Sequence, residues 1–137
     1  MPVQELRLGT RRILQMLSAA GLPVVVLRDS PLPPFDIPAC VGRHAQEPSA
    51  GAACDFEASA ALNEAAFAAE RAAADGLPRV YFLSLSDLIC PGNSCPATQH
   101  GLLVYRDDNH LTGAFAQSLA PSMRARLFQL LRDAQSP

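Results

Sequence analysis

Residues 22–27 read Leu-Pro-Val-Val-Val-Leu, and no other stretch limits the fold as tightly. The run is short, nearly all apolar and centred on three β-branched valines, which suit a pleated strand better than a helix. Lacking polar alternation, it suits a strand covered on both faces, as in a parallel sheet. The segments around it read as its partners. Residues 4–20 place Leu6, Thr10, Ile13, Leu14 and Leu17 on one helical stripe, with Gly21 as the stop. Residues 57–74 are rich in Ala, carry Leu62 and Phe67, and end at Asp75-Gly76, predicting a second helix. Residues 79–83, Arg-Val-Tyr-Phe-Leu, predict a second strand. Residues 122–133 predict a third helix, with Pro121 near its start and Met123, Leu127, Leu130 and Leu131 on one face. Residues 28–56 read as loop, because Ser30-Pro31-Leu32-Pro33-Pro34 and Ile37-Pro38 suit neither helix nor central strand. Helix, strand, helix, strand, helix predicts an α/β layer with a parallel pair, in one domain without repeats.

The chain's 137 residues are the size of one domain, and 49% are apolar, enough for a core. A net charge of -2 without any block of like charges leaves no footprint for nucleic acid or an anionic membrane. All 11 basic residues are Arg, a sign of genomic base composition rather than of function. No apolar run approaches the ~20 residues that span a bilayer. Met1-Pro2-Val3-Gln4-Glu5 also lacks the basic-then-apolar pattern of a secretion signal.

The four cysteines point the other way. Cys40 and Cys54 bracket one loop containing Pro and Gly, and Cys90 and Cys95 bracket Pro91-Gly92-Asn93-Ser94. Of three possible pairings the local one is simplest, and each bridge would pin a loop with no regular structure of its own. Zinc competes, since Cys, His and Asp are its ligands, but Cys40 and Cys54 form no second close pair. Reduced thiols in a cytosolic protein are the third reading. Disulfides imply an oxidising compartment, so an export signal is expected ahead of Met1.

The chemistry-bearing stretch is Tyr105-Arg106-Asp107-Asp108-Asn109-His110-Leu111-Thr112. A His serves as a general base near neutral pH when one ring nitrogen is held and the other is open. A carboxylate three residues away can do the holding, fixing the tautomer and stabilising the imidazolium. Asp-Asp-Asn is equally good turn and helix N-cap chemistry, and a D-x-x-H spacing alone does not separate the two.

Two segments carry a family resemblance. Leu88-Ile89-Cys90-Pro91-Gly92-Asn93-Ser94-Cys95-Pro96, followed by Gly101 to Thr112, resembles the C-terminal end of the SGNH domain of acyltransferase family 3 proteins. Val24 to Pro31 and Phe35 to Cys40 are similar to that domain's penultimate strand and its loop. The resemblance runs from about Leu14 to Leu130. Such proteins sit in the bacterial inner membrane and O-acetylate cell-surface polysaccharides, with the SGNH domain on the periplasmic side. The resemblance implies a three-layer, flavodoxin-like parallel sheet, of which this chain holds the C-terminal portion. It also implies that Asp107 and His110 are the Asp and His of a Ser-His-Asp triad. Tyr105 and Asp108 read as packing and capping residues rather than chemistry.

The family's nucleophile Ser lies in a Gly-Asp-Ser motif after the first strand, and no Gly-Asp-Ser occurs here. The oxyanion-hole Gly and Asn segments have no counterpart either. Asp29-Ser30 follows a strand, but Pro31 biases Ser30 away from the helix that a nucleophile turn leads into. Residues 1–137 therefore read as a single partial SGNH domain, from a shortened gene, a split gene or an excised piece. The expected partners are an acyl donor, a polysaccharide acceptor, an upstream transmembrane acyltransferase domain and the domain's N-terminal half. Self-association through the uncovered sheet is expected as well, with no cofactor, no metal and no nucleic acid. The alternative is a non-catalytic, disulfide-pinned α/β binding module.

Overall fold

A computed structural model describes residues 2–48 and 52–136; Met1, residues 49–51 of the expected loop and Pro137 lie outside it. Its elements in chain order are α1 (Val3–Ala19), β1 (Val24–Leu27), α2 (Ile37–Arg43), a 3-10 turn (Ala52–Cys54), β2 (Phe56–Glu57), α3 (Ala58–Ala61) and α4 (Glu64–Ala73). There follow β3 (Val80–Leu83), α5 (Ser86–Ile89), β4 (Ser94–Cys95), β5 (Thr98–Gln99), β6 (Leu102–Leu103) and α6 (Gly113–Gln135). The chain divides into two compact units: residues 1–29, 63–84 and 125–137, and residues 30–62 and 85–124.

The first unit holds the parallel pair. β1 and β3 run in register from Val24 beside Val80 to Leu27 beside Leu83. Backbone bonds from Val24 to Arg79 and from Arg28 to Leu83 close the two ends. Helix α1 packs on α4, where Ala69 and Ala73 are buried and let the backbones approach. Arg11 of α1 donates to the carbonyls of Ala73 (3.0 Å) and Asp75 (2.9 Å), satisfying acceptors that the end of α4 leaves without partners. At the end of β1 the Arg28 guanidinium lies 4.5 Å over the Phe67 ring and bonds Glu64 at 2.7 Å.

The first unit corrects two expectations. The buried line of α1 runs through Leu6, Thr10, Leu14 and Ser18, while Ile13 is 57% exposed and Leu17 also faces solvent. Register is set by how the helix rotates onto α4, which a stripe of apolar letters does not reveal. β1 is also not covered on both faces: Val24, Val25 and Val26 are half-buried and Leu27 is exposed. Among the described residues its only strand neighbour is β3, so its other side is an edge.

The second unit is built on Tyr105, Phe115, Ile37 and Val104, all buried, with both disulfides around them. The structure joins Cys40 to Cys54 and Cys90 to Cys95. The Cys90–Cys95 bridge closes a turn that delivers β4 to β2, pairing Cys95 with Phe56. Asn93 on that turn accepts from the N–H groups of Ala58 and Ser59, capping α3. The Phe56 ring then lies tilted against Tyr105 at 5.8 Å and edge-on against Phe35 at 6.4 Å.

Three helix boundaries differ from expectation. Residues 28–56 are not all loop: Ile37-Pro38 opens α2, with the Asp36 side chain accepting from the Ala39 N–H at 2.7 Å. A proline costs nothing in a helix's first turn, where its missing N–H would have no partner. The helix expected over 57–74 breaks at Leu62, which is extended, and restarts at Asn63, whose side chain caps Ala66. The last helix begins at Gly113 rather than 122 and runs through Pro121. Its start is set by Thr112, whose hydroxyl accepts from the Phe115 N–H at 3.1 Å, and by burial of Phe115. Those signals outweigh one interior proline.

Candidate functional site

Residues 105–112 form a tight loop in the second unit. Tyr105 and Leu111 make an isolated antiparallel bridge, and the Arg106 N–H donates to the His110 carbonyl at 2.9 Å. Below the bridge, Val104 takes its carbonyl to the Thr112 N–H and its N–H to the Ala97 carbonyl, both at 2.9 Å. The Thr112 hydroxyl donates to the Leu103 carbonyl at 2.6 Å. The strands leading in, β5 and β6, form a hairpin turned by His100 and Gly101, both at positive φ (51° and 76°). Positive φ at both central residues matches the right-handed twist of paired strands, and Gly101 meets the demand without strain. The buried Tyr105 hydroxyl donates to the Pro31 carbonyl at 2.7 Å, tying the loop to a segment 74 residues earlier. Burial pushes the Tyr105 phenol up from its ordinary value.

On this base sits the Asp107–His110 pair. One carboxylate oxygen of Asp107 accepts the backbone N–H of Asn109 (2.8 Å) and that of His110. The other lies 2.9 Å from His110 Nδ1. Hydrogen bonds from the His110 backbone and ring, then from Asn109, hold the Asp107 carboxyl well below the usual carboxylate range. Asp107 stays ionised and keeps the proton of the neutral imidazole on Nδ1. Nε2 has no hydrogen-bond partner among the described residues, and the His110 side chain is 56% exposed. Such a group can accept a proton from a hydroxyl brought to it.

The turn reading and the base-orienting reading of Asp107 are therefore compatible, because its two oxygens do different work. Capping of α6 falls to Thr112, while Asp108, read as a capping residue, is exposed. Tyr105 is a packing residue. Arg106 was not singled out from sequence, yet its Nε lies 3.5 Å from Asp107 Oδ2, the oxygen that faces His110. Its only signal was adjacency to Asp107. Ser30 is followed by non-helical chain until Ile37, not by the helix a nucleophile turn requires. Among the described residues no helix is long and apolar enough to cross a membrane.

No curated protein and no solved structure matches the chain. A family model described as the SGNH domain (fused to AT3 domains) matches residues 3–125, which takes in both strands of the parallel pair, both disulfides and the Asp107–His110 loop. The chain belongs to the SGNH domain family whose members are fused to AT3 domains.

Proposed function

We propose that this chain is the acid–base half of an SGNH-type O-acyltransferase acting on bacterial cell-surface polysaccharide at the periplasmic face of the inner membrane. The observation that carries the reading is the 2.9 Å contact from Asp107 Oδ2 to His110 Nδ1, which leaves Nε2 open to solvent. In the complete domain a serine hydroxyl attacks the acyl carbonyl and its proton passes to Nε2 of His110. Asp107 stabilises the imidazolium that results. The acyl-serine is then attacked by a sugar hydroxyl, whose proton takes the same route, and the serine is restored. That serine and the oxyanion donors lie outside these 137 residues, which supply the base and its orienter. The β1–β3 pair would be the last two strands of a three-layer, flavodoxin-like sheet completed by an N-terminal half. The fusion to AT3 domains that describes the family supports an upstream transmembrane acyltransferase domain that delivers the acyl group.

The test begins with the coding sequence upstream of Met1, where transmembrane segments and a Gly-Asp-Ser motif are expected. In that whole protein, His110→Ala should lower acetyl transfer to polysaccharide, followed by NMR of the acetyl groups, by about 10³-fold or more. The isolated chain should not hydrolyse small acetyl esters above background. Turnover that survives purification and disappears in His110→Ala would mean that a nucleophile is present after all, with Ser30 the first to substitute. The missing serine favours a second reading, a disulfide-pinned binding module. Unchanged acetyl transfer in both Asp107→Asn and His110→Ala would select it.

A further inference from the structure

Cys40 lies in α2, and His44 follows four residues later as that helix's C-cap. Residues four apart on a helix present their side chains to one face. The 3-10 turn brings Cys54 to the same place. One ring nitrogen of His44 and the two sulfurs all lie within 4.8 Å of one another. Both cysteines are buried and His44 is half-buried. His44 Nδ1 is 2.9 Å from Glu47 Oε2, which engages that nitrogen and leaves Nε2 for another partner. Two sulfurs, one imidazole and a carboxylate behind the imidazole make up the donor set and outer-shell support of many zinc sites.

We infer that, once the Cys40–Cys54 bridge is reduced, Cys40, Cys54 and His44 form a Zn²⁺ site, with Glu47 orienting the imidazole. The inference is independent of the Asp107–His110 reading. Reduction by a trialkylphosphine breaks the S–S bond; water supplies two protons and its oxygen, giving two thiols and a phosphine oxide. Zn²⁺ then displaces both thiol protons to solvent and takes two thiolates and the imidazole. Tetrahedral coordination with Zn–S of about 2.3 Å sets the sulfurs ~3.8 Å apart, so the pair, 2.10 Å apart in the disulfide, must separate once the bond is broken. A fourth position stays open to water. The site is exclusive with the disulfide, so the loop between α2 and the 3-10 turn is closed by sulfur in oxidising surroundings and by metal in reducing ones.

The test uses the full chain, reduced with a phosphine under argon and titrated with Zn²⁺ against a chromophoric chelator. Co²⁺ serves as a spectroscopic stand-in whose thiolate charge-transfer band reports sulfur ligation. One Zn²⁺ per reduced chain is expected, and no binding by the oxidised chain at the same concentrations. Glu47→Gln should weaken binding by ~10–100-fold and His44→Ala, which removes a ligand, by more, while Cys90→Ala with Cys95→Ala leaves it in place. Absence of the cobalt–thiolate band, or equal Zn²⁺ affinity in His44→Ala, overturns the assignment. Should reduction melt the chain, helical circular dichroism regained on adding Zn²⁺, in wild type but not in His44→Ala, supports the site. A reduced chain that stays unfolded with Zn²⁺ overturns it.

Discussion

Asp107 holds His110 at both ends: one carboxylate oxygen takes the backbone N–H and the other faces ring Nδ1 at 2.9 Å. The same side chain therefore sets the loop's backbone and the histidine's tautomer. A substitution can separate the two roles. In Asp107→Asn the amide oxygen can still cap Asn109 and His110, but the amide NH₂ meets Nδ1 and favours the tautomer protonated on Nε2. Nitrogen-15 shifts of the His110 ring should show that exchange while amide shifts of residues 105–112 change little. A ring still protonated on Nδ1 in the variant would mean that the carboxylate does not select the tautomer.

The Asp107 carboxyl is held below its ordinary range, so its folded-state value lies under the unfolded one. Its contribution to loop order is present above the ordinary Asp value of about 3.9. That contribution is lost only as pH falls through the lowered folded value. Amide exchange and shifts at Asn109 and His110 should stay native at pH 4 and loosen in stronger acid. Loosening already centred near the ordinary Asp value would contradict the depressed carboxyl.

Tyr105→Phe removes the donor to the Pro31 carbonyl and leaves a buried acceptor without a partner. The expected loss is about 1–3 kcal/mol, read as a lower melting temperature by calorimetry. The phenol's raised value adds a sign: the folded chain keeps a proton that the unfolded chain gives up above pH ~10, so wild-type stability falls as pH rises beyond that point. This alkaline loss should be smaller in Tyr105→Phe.

The two bridges should differ in weight. Cys40 and Cys54 are 14 residues apart and Cys90 and Cys95 only 5. Loop-closure entropy then gives about 3 kcal/mol for the first and ~2 for the second. Removing Cys40–Cys54 by paired Ser substitutions should lower the melting temperature more. Peptide mapping without reductant should recover both local pairs; Cys40 joined to Cys90 or Cys95 would overturn this account.

The first unit should drive self-association. Met16 is 70% exposed, Ile13 and Leu22 are more than half exposed, and the far edge of β1 has no strand beside it among the described residues. An apolar surface next to an open strand edge is a pairing site for other chains. Light scattering at micromolar concentration should show oligomers, reduced by Ile13→Glu with Met16→Glu. A monomer that melts sharply without a partner would contradict it.

Elements whose signals are local were legible in the order of residues alone. Three β-branched valines after a Gly stop made a strand at 24–27, and Val-Tyr-Phe-Leu made another at 80–83, because residue type and spacing act within a few residues. The same held for the Asp107–His110 pair, whose own bonds span only three residues. Tertiary structure decided what depends on distant chain. Helix α1 buries Leu14 and exposes Ile13 because rotation onto α4 chooses the face. Thr112 and the buried Phe115, not Pro121, set the start of α6, since burial outweighs intrinsic propensity. The loop stands where it does because the Tyr105 hydroxyl finds the Pro31 carbonyl, 74 residues away. A buried donor must have a partner, but nothing in the order of residues says which one.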